Sequence, residues 1–123
     1  MTSESLPDAF RLESGRWVGY YEQWGQRFQQ DHRMEFADGL VRGDGADELG
    51  PFRLEGCYRN GADGVRLGWI ETYEGAHSIL YLGILRGDWI AGTWRVEGPD
   101  HEADTHGRFA MIPQHLAPNE PPQ

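Results

Sequence analysis

Ile79-Leu80-Tyr81-Leu82-Gly83-Ile84-Leu85-Arg86-Gly87-Asp88-Trp89-Ile90-Ala91-Gly92-Thr93-Trp94-Arg95-Val96 reads as one β-hairpin. Gly87-Asp88 is a two-residue turn with glycine at the first central position, as a type II′ turn requires. Folding about it opposes Leu85 with Ile90, Gly83 with Gly92, Tyr81 with Trp94 and Ile79 with Val96. Side chains in a strand alternate faces, so these eight residues share one face, and none is charged. The preceding stretch repeats the pattern of a glycine flanked two positions away by large apolar residues: Leu54-x-Gly56-x-Tyr58 and Gly68-x-Ile70. A turn at Gly75-Ala76 opposes Thr72 with Ile79, Ile70 with Tyr81 and Gly68 with Gly83. A five-residue loop, Asn60 to Gly64, then sets Gly56 beside Gly68. The expectation is a row of four glycines, Gly56, Gly68, Gly83 and Gly92, facing a common interior. Shifting any strand by one residue would turn its side chains to the other face.

Outward from this core, Arg16 to Gln23 reads as a strand with Trp17, Gly19 and Tyr21 on one face. Arg27 to Ala37 follows, with Phe28, His32, Met34 and Phe36 on one face. Asp38-Gly39 is a strong hairpin signal, opposing Phe36 with Val41 and Met34 with Gly43. It makes the third strand short, ahead of a loop from Gly43 to Gly50. The last strand is His106 to Ile112, with Gly107, Phe109 and Met111 inward. Eight strands joined mainly by short hairpins predict an all-β fold, an antiparallel up-and-down meander closed into a barrel. The barrel domain is expected over residues 14–113. Residues 1–13 read as a flexible polar segment, in which Ser5 to Phe10 forms a helical turn and Phe10 and Leu12 plug one barrel end. Residues 114–123, with Pro118, Pro121 and Pro122, read as a disordered tail.

The chain has 123 residues and a formal net charge of -9. That balance argues against nucleic acid and anionic membranes as partners. The single cysteine, Cys57, excludes an internal disulfide and suits a reducing compartment. With no signal-like apolar run and no stretch long enough to span a bilayer, the expected location is cytoplasmic.

The polar groups expected on the glycine-bearing face are Tyr21, His32, Tyr58, Thr72 and Tyr81, with Trp94 beside them. Together they are candidate ligand-binding residues at the mouth or in the lumen of the barrel. The opposite face carries Arg16, Glu22, Arg33, Glu35, Arg53, Glu55 and Arg59 in the first four strands. In strands five to seven it becomes apolar, with Val65, Leu67, Trp69, Tyr73, Leu80, Leu82, Ile84 and Trp89. A surface of that kind predicts a partner, so Leu67, Trp69, Leu80, Leu82 and Trp89 are candidate contacts of a homo-oligomer. The acidic segments 44–48 and 100–106 lack metal-ligand spacing, and neither a metal nor a cofactor is expected. No nucleophile elbow, phosphate loop or dinucleotide fingerprint is present. The reading is a non-catalytic barrel that binds a small apolar or aromatic ligand inside, or a protein partner on strands five to seven. Its alternatives are a structural module with a filled interior and a small enzyme with Tyr and His groups at the mouth.

Three stretches, Leu54-Glu55-Gly56-Cys57-Tyr58, Leu67-Gly68-Trp69 and Ala76-His77-Ser78, resemble the middle of avidins in order and type. Gly15-Arg16-Trp17 resembles the opening of a lipocalin. Together with the meander layout they make the chain similar to the calycin group, which comprises lipocalins, fatty-acid-binding proteins and avidins. That resemblance implies an eight-stranded barrel with an internal ligand site, and in avidins a biotin pocket to which Trp69 would contribute. The chain departs from avidins at Ile79-Leu80-Tyr81-Leu82, where they carry hydroxyl-rich residues, and it has no match for their acidic ligand-binding residue in the last strand. It also lacks the lipocalin disulfides and C-terminal helix.

Overall fold

The computed structural model describes residues 12–47, 50–74, 78–97 and 106–118. Eight antiparallel strands run β1 (Gly15–Gln23), β2 (Gln26–Ala37), β3 (Leu40–Asp47), β4 (Gly50–Gly61), β5 (Gly64–Tyr73), β6 (Ser78–Arg86), β7 (Trp89–Val96) and β8 (His106–Pro113). Each pairs with its sequence neighbours, and β8 returns to β1, so the sheet is a closed up-and-down barrel. Closure leaves no unpaired sheet edge. The expected helical turn at Ser5 to Phe10, and the plug role of Phe10, lie outside the described residues. So do Gly75-Ala76 and most of segment 100–106.

The two ends of the barrel are built differently. At one end three two-residue connections, Asp38-Gly39, Ala62-Asp63 and Gly87-Asp88, join β2–β3, β4–β5 and β6–β7. Asp38 and Gly39 both have positive φ (53° and 79°), the geometry of a type I′ turn. Leu12 is buried with the core, and the Trp17 indole Nε1 donates to the Glu13 carbonyl at 2.9 Å. The Phe36 backbone N–H donates to Ser14 Oγ at 3.0 Å, and His115 pairs with Glu13. Gln114–Leu116, expected to belong to the tail, forms a 3-10 turn. This is the capped end, and Trp17, Met34, Val41 and Val65 fill it without exposed surface.

The hairpin of β6 and β7 has the expected register, with Leu85 opposite Ile90, Gly83 opposite Gly92, Tyr81 opposite Trp94 and Ile79 opposite Val96. Phe36–Val41 and Met34–Gly43 also pair as expected. Beyond Gly43 the chain does not loop: β3 continues to Asp47 and pairs with β4 back to Gly50. Most of the acidic segment 44–48 is therefore strand.

β5 is the correction. Gly56 opposes Trp69 rather than Gly68, and Tyr81 opposes Trp69 rather than Ile70. The whole strand is turned over relative to the expectation. Val65, Leu67, Trp69, Glu71 and Tyr73 point inward and are buried, while Ile70 is 39% exposed and Thr72 is exposed. Aligning glycines favoured one face, but burial of four large side chains favours the other. At about 1.5–3 kcal/mol for each fully buried apolar side chain, burial decides. Gly68 thus faces outward, while Gly56, Gly83 and Gly92 stay on the interior face.

Those glycines serve close strand approach. A Cβ on Gly56 would sit 1.9 Å from the Gly68 carbonyl oxygen, and one on Gly92 would sit 1.9 Å from the Leu82 carbonyl oxygen. Only a residue without Cβ lets the neighbouring strand fold over it, which is how a small barrel turns its corners.

Candidate functional site

Opposite the capped end, the interior becomes polar. β2 brings Gln30 and His32, β3 brings Asp47, β5 brings Trp69, Glu71 and Tyr73, and β6 brings Tyr81. His32 and Glu71 have no exposed surface at all. Their side chains meet through His32 Nε2 and Glu71 Oε2 at 2.7 Å. Glu71 Oε2 also accepts from Trp69 Nε1 at 3.0 Å, and Oε1 accepts from the Tyr73 hydroxyl at 3.4 Å. Tyr73 is bonded in addition to Asp47 Oδ2. Gln30 Nε2 donates to the Tyr81 hydroxyl at 2.6 Å. Seven side chains from four strands thus form two hydrogen-bonded groups, from Asp47 through Tyr73 and Glu71 to His32 and Trp69, and from Gln30 to Tyr81.

Aromatic rings wall this region. Trp69 stacks on Tyr81 with centroids 5.4 Å apart and an interplanar angle of 4°. Phe109 meets Tyr81 edge-on at 4.9 Å and Trp69 at 5.5 Å. Phe52 lies 5.0 Å from the His32 ring and 5.2 Å from Tyr73. Offset stacks and edge contacts of this kind add to the area they bury.

The electrostatics follow from the walls. Burial, then the nearby Glu71 carboxylate, pushes the Tyr73 phenol far above its ordinary value, with the bond to Asp47 adding to the effect. Burial and Glu71 likewise raise Tyr81, opposed only in part by the bond from Gln30. Both phenols therefore remain neutral hydrogen-bonding groups. Two polar atoms have no hydrogen-bond partner among the described residues, namely His32 Nδ1 and Gln30 Oε1. Either orientation of the Gln30 amide leaves one of its ends unanswered, because Tyr81 engages the other. Buried polar atoms are rarely left so, since each one costs roughly 1–3 kcal/mol.

Of the residues singled out from sequence, His32 and Tyr81 belong to this cluster. Tyr21 and Trp94 are buried beside it, in edge-on contact at 6.0 Å, with Trp94 Nε1 donating to the Glu22 carbonyl at 3.2 Å. Tyr58 is interior but lies against Phe36, towards the capped end. Thr72 is removed from the site by the turned strand. The same turn takes Leu67 and Trp69 out of the expected outer interface, and Trp69 becomes a wall of the polar cluster. Leu80, Leu82 and Trp89 do face outward; Leu82 is 50% exposed and the other two are half-buried.

Sequence reasoning missed Gln30, Asp47, Glu71 and Tyr73. Gln30 was on the inward parity of β2 and could have been found there. Glu71 carried a signal in its spacing, since Trp69-x-Glu71-x-Tyr73 places an acid between two aromatic donors on one face. Asp47 lies in the stretch whose acidic, glycine-rich composition predicts a loop, and it is the last residue of β3.

Outside the barrel, a groove of about 720 Å³ is bordered by Val18, Tyr20, Arg27, Trp89, Ile112 and Pro118. Another, of about 380 Å³, lies over Leu82, Ile84, Ala91 and Thr93. No group of three or more potential metal ligands occurs among the described residues. No helix among them is long and apolar enough to cross a membrane. No protein-family model matches the chain, and no curated protein matches it either.

Proposed function

We propose that this protein is a non-catalytic binding barrel that holds a small ligand inside, at the polar end. One observation carries the reading: His32 and Glu71 sit fully buried in an aromatic box, with His32 Nδ1 and Gln30 Oε1 unanswered among the described residues. A buried imidazole–carboxylate pair adds little stability over well-packed apolar residues of the same volume. A cluster kept despite that cost has a use, and hydrogen bonding to a guest is the use the two free atoms supply. Trp69, Tyr81, Phe109 and Phe52 pack closely around the pair, so a guest enters as these rings give way and is small. The layout shared with calycins supports an internal site as well.

Catalysis is the weaker reading. Ser14 lies at the capped end, and Cys57, Thr72, Ser78 and Thr93 take outward positions in their strands. No described hydroxyl of serine or threonine, and no thiol, reaches His32.

A second reading concerns the outside. Leu80, Leu82 and Ile84 all face outward along β6, next to Ile70 on β5 and Ala91 on β7. Three consecutive outward aliphatic residues on one strand are not the alternation a solvated face displays. This stripe suits a protein partner, and a second copy of the chain is the simplest one.

The internal site is tested by fragment screening with NMR on 15N-labelled protein. Small fragments are expected to move the ring nitrogens of His32 and the indole N–H of Trp69 while leaving that of Trp17 unchanged. If every hit maps to the outer surface, or none moves His32, the reading is wrong.

A further inference from the structure

We infer that the partner of the outer stripe is a second copy of the chain, packed about a two-fold axis that runs across the strands through Cys57, Gly68 and Leu82, so that Glu55 of each copy meets Arg59 of the other. This rests on the second reading above, that of a partner on the outer face, and specifies its geometry.

Cross-strand pairing lays the outward residues of β4, β5 and β6 in rows. Cys57 opposes Gly68, which opposes Leu82. On one side of that row lie Glu55, Ile70 and Leu80, and on the other Arg59, Arg66 and Ile84. Leu40 extends the middle row onto β3. Five large apolar residues stand exposed among the described ones, and three of them, Leu40, Ile70 and Leu82, belong to this surface. Cys57 is exposed between them. Gly68 puts no side chain at the centre of the row, and a strand glycine suits a place where another backbone comes close.

Charge selects both the occupant and the axis. On β5, β6 and β7 every charged residue in an outward strand position is an arginine: Arg66, Arg86 and Arg95. Arg59 stands directly opposite Arg66, and like charges so placed destabilise a sheet. Asp63 holds Arg66 at 2.8 Å, whereas neither Arg59 nor Glu55 forms an ion pair with another described residue. A half-turn about the middle row exchanges the two flanking rows. It therefore sets Glu55 against Arg59 twice, once for each copy, and gives each of these arginines an acid. On β3 it also brings together Asp38 and Arg42, which lie two residues to either side of Leu40.

The rest of the contact agrees. The same half-turn puts Leu80 against Ile84, and Ile70 against the aliphatic stem of Arg66. An axis along β6 would instead appose β5 with β7, whose outward strand positions offer no carboxylate to their arginines. An axis along β5 would press Glu55 and Arg59 onto Leu80 and Ile84. The opposite-sign match is between this surface and itself, which is the condition for an isologous contact closed at two copies.

Cys57 is the single cysteine of the chain and falls on the axis, so it reports the arrangement. The full chain at micromolar concentration is treated with bismaleimidoethane, a short reagent that joins two thiols, and the intact mass is read. A covalent dimer is expected from the folded protein and not from the protein in urea. Moving the thiol to the charged face, as Cys57→Ser with Arg33→Cys, is expected to abolish it. Dissociation constants are measured by sedimentation, and amide spectra check that each variant is folded. Glu55→Arg alone and Arg59→Glu alone are each expected to weaken the dimer by about tenfold, since every change is felt twice across the axis. The two together are expected to restore association. A dimer that Cys57 does not bridge, or single reversals that leave association unchanged, would overturn this axis and leave the outer-face reading standing. A wild-type monomer at micromolar concentration would overturn both.

Discussion

The two ends of this barrel solve the same problem in opposite ways. At the capped end, tight two-residue turns and the contacts of Leu12, Glu13 and Ser14 close the cylinder, and Trp17, Met34, Val41 and Val65 fill it with apolar volume. At the polar end, the same strands bring a carboxylate, an imidazole, two phenols and an amide into an equally buried space. The capped end has one hydrogen-bonding indole, and a backbone carbonyl answers it. The polar end has a chain of side-chain bonds and still leaves two atoms unanswered among the described residues. The lesson is that packing alone explains the first end but not the second. Filling a cylinder needs apolar residues of the right volume, whereas His32 and Glu71 add desolvation cost to the fold they sit in.

The largest effect should come from breaking the polar end on one side only. Glu71→Ala removes the acceptor for His32 Nε2, Trp69 Nε1 and the Tyr73 hydroxyl at once. Leaving one member of a buried pair uncompensated costs roughly 3–5 kcal/mol, read as a lower midpoint in denaturant unfolding. Replacing both partners, as in His32→Leu with Glu71→Met, is expected to restore most of that loss while abolishing guest binding. A double variant as unstable as the single one would mean that the cluster is part of what holds the barrel together, and the contrast between the ends would shrink.

Alkaline pH probes the same end without mutation. Tyr73 and Tyr81 have folded-state values raised above the ordinary value of about 10. Below pH 10 the hydroxyl is neutral in both folded and unfolded chains, so neither tyrosine makes stability depend on pH. Above pH 10 the unfolded chain gives up protons that the folded barrel retains, so stability falls as pH rises. Each tyrosine contributes a slope of about 1.4 kcal/mol per pH unit. Urea midpoints measured between pH 9 and about 11 are expected to be flat and then drop, and Tyr73→Phe should remove part of the drop. A flat profile throughout would show that these phenols ionise freely in the folded protein.

The outer stripe is a smaller matter energetically. Leu82→Asp, at a half-exposed position, should change monomer stability by no more than about 0.5 kcal/mol. Light scattering after size-exclusion chromatography should nevertheless show the wild-type chain as a dimer and this variant as a monomer. A wild-type monomer at micromolar concentration would remove the outer face from consideration.

Much of this was legible from the chain. The alternation around Gly83 and Gly92 and the Asp38-Gly39 turn specify their hairpins locally, because a two-residue turn of defined type leaves one register. The barrel followed from counting such hairpins. The polar cluster was not legible, and the cause is one strand. β5 has long side chains on both faces, with Leu67, Trp69 and Tyr73 on one and Ile70 on the other. Its connection to β6 also lacks a two-residue turn that would fix the pairing. Alternation therefore could not say which face is inside. Only closure against β4 and β6, a tertiary constraint, turns Glu71 towards His32, which lies thirty-nine positions away in sequence. The alternation of β2 by itself turns His32 inward, whereas nothing local to β5 does the same for Glu71.

That orientation of β5 is what separates the two ends, and two glycines test it with effects of opposite sign. In the register expected from the sequence, Gly68 and Gly92 would be equivalent members of one internal row. In the observed register they differ. A Cβ on Gly92 would meet the Leu82 carbonyl oxygen at 1.9 Å and Gly83 Cα at 2.7 Å, both backbone atoms that cannot move without the strand. Gly92→Ala should therefore cost roughly 1–3 kcal/mol, as overpacking does. A Cβ on Gly68 faces outward, and its closest neighbour is Leu82 Cδ2 at 3.2 Å, the end of a half-exposed side chain free to turn away. Gly68→Ala should be neutral or stabilising by up to about 1 kcal/mol, since it mainly reduces the freedom of the unfolded chain. If the two substitutions cost the same, β5 faces the other way. Trp69, Glu71 and Tyr73 would then leave the interior together, and His32 would lose the partner that makes the polar end differ from the capped one.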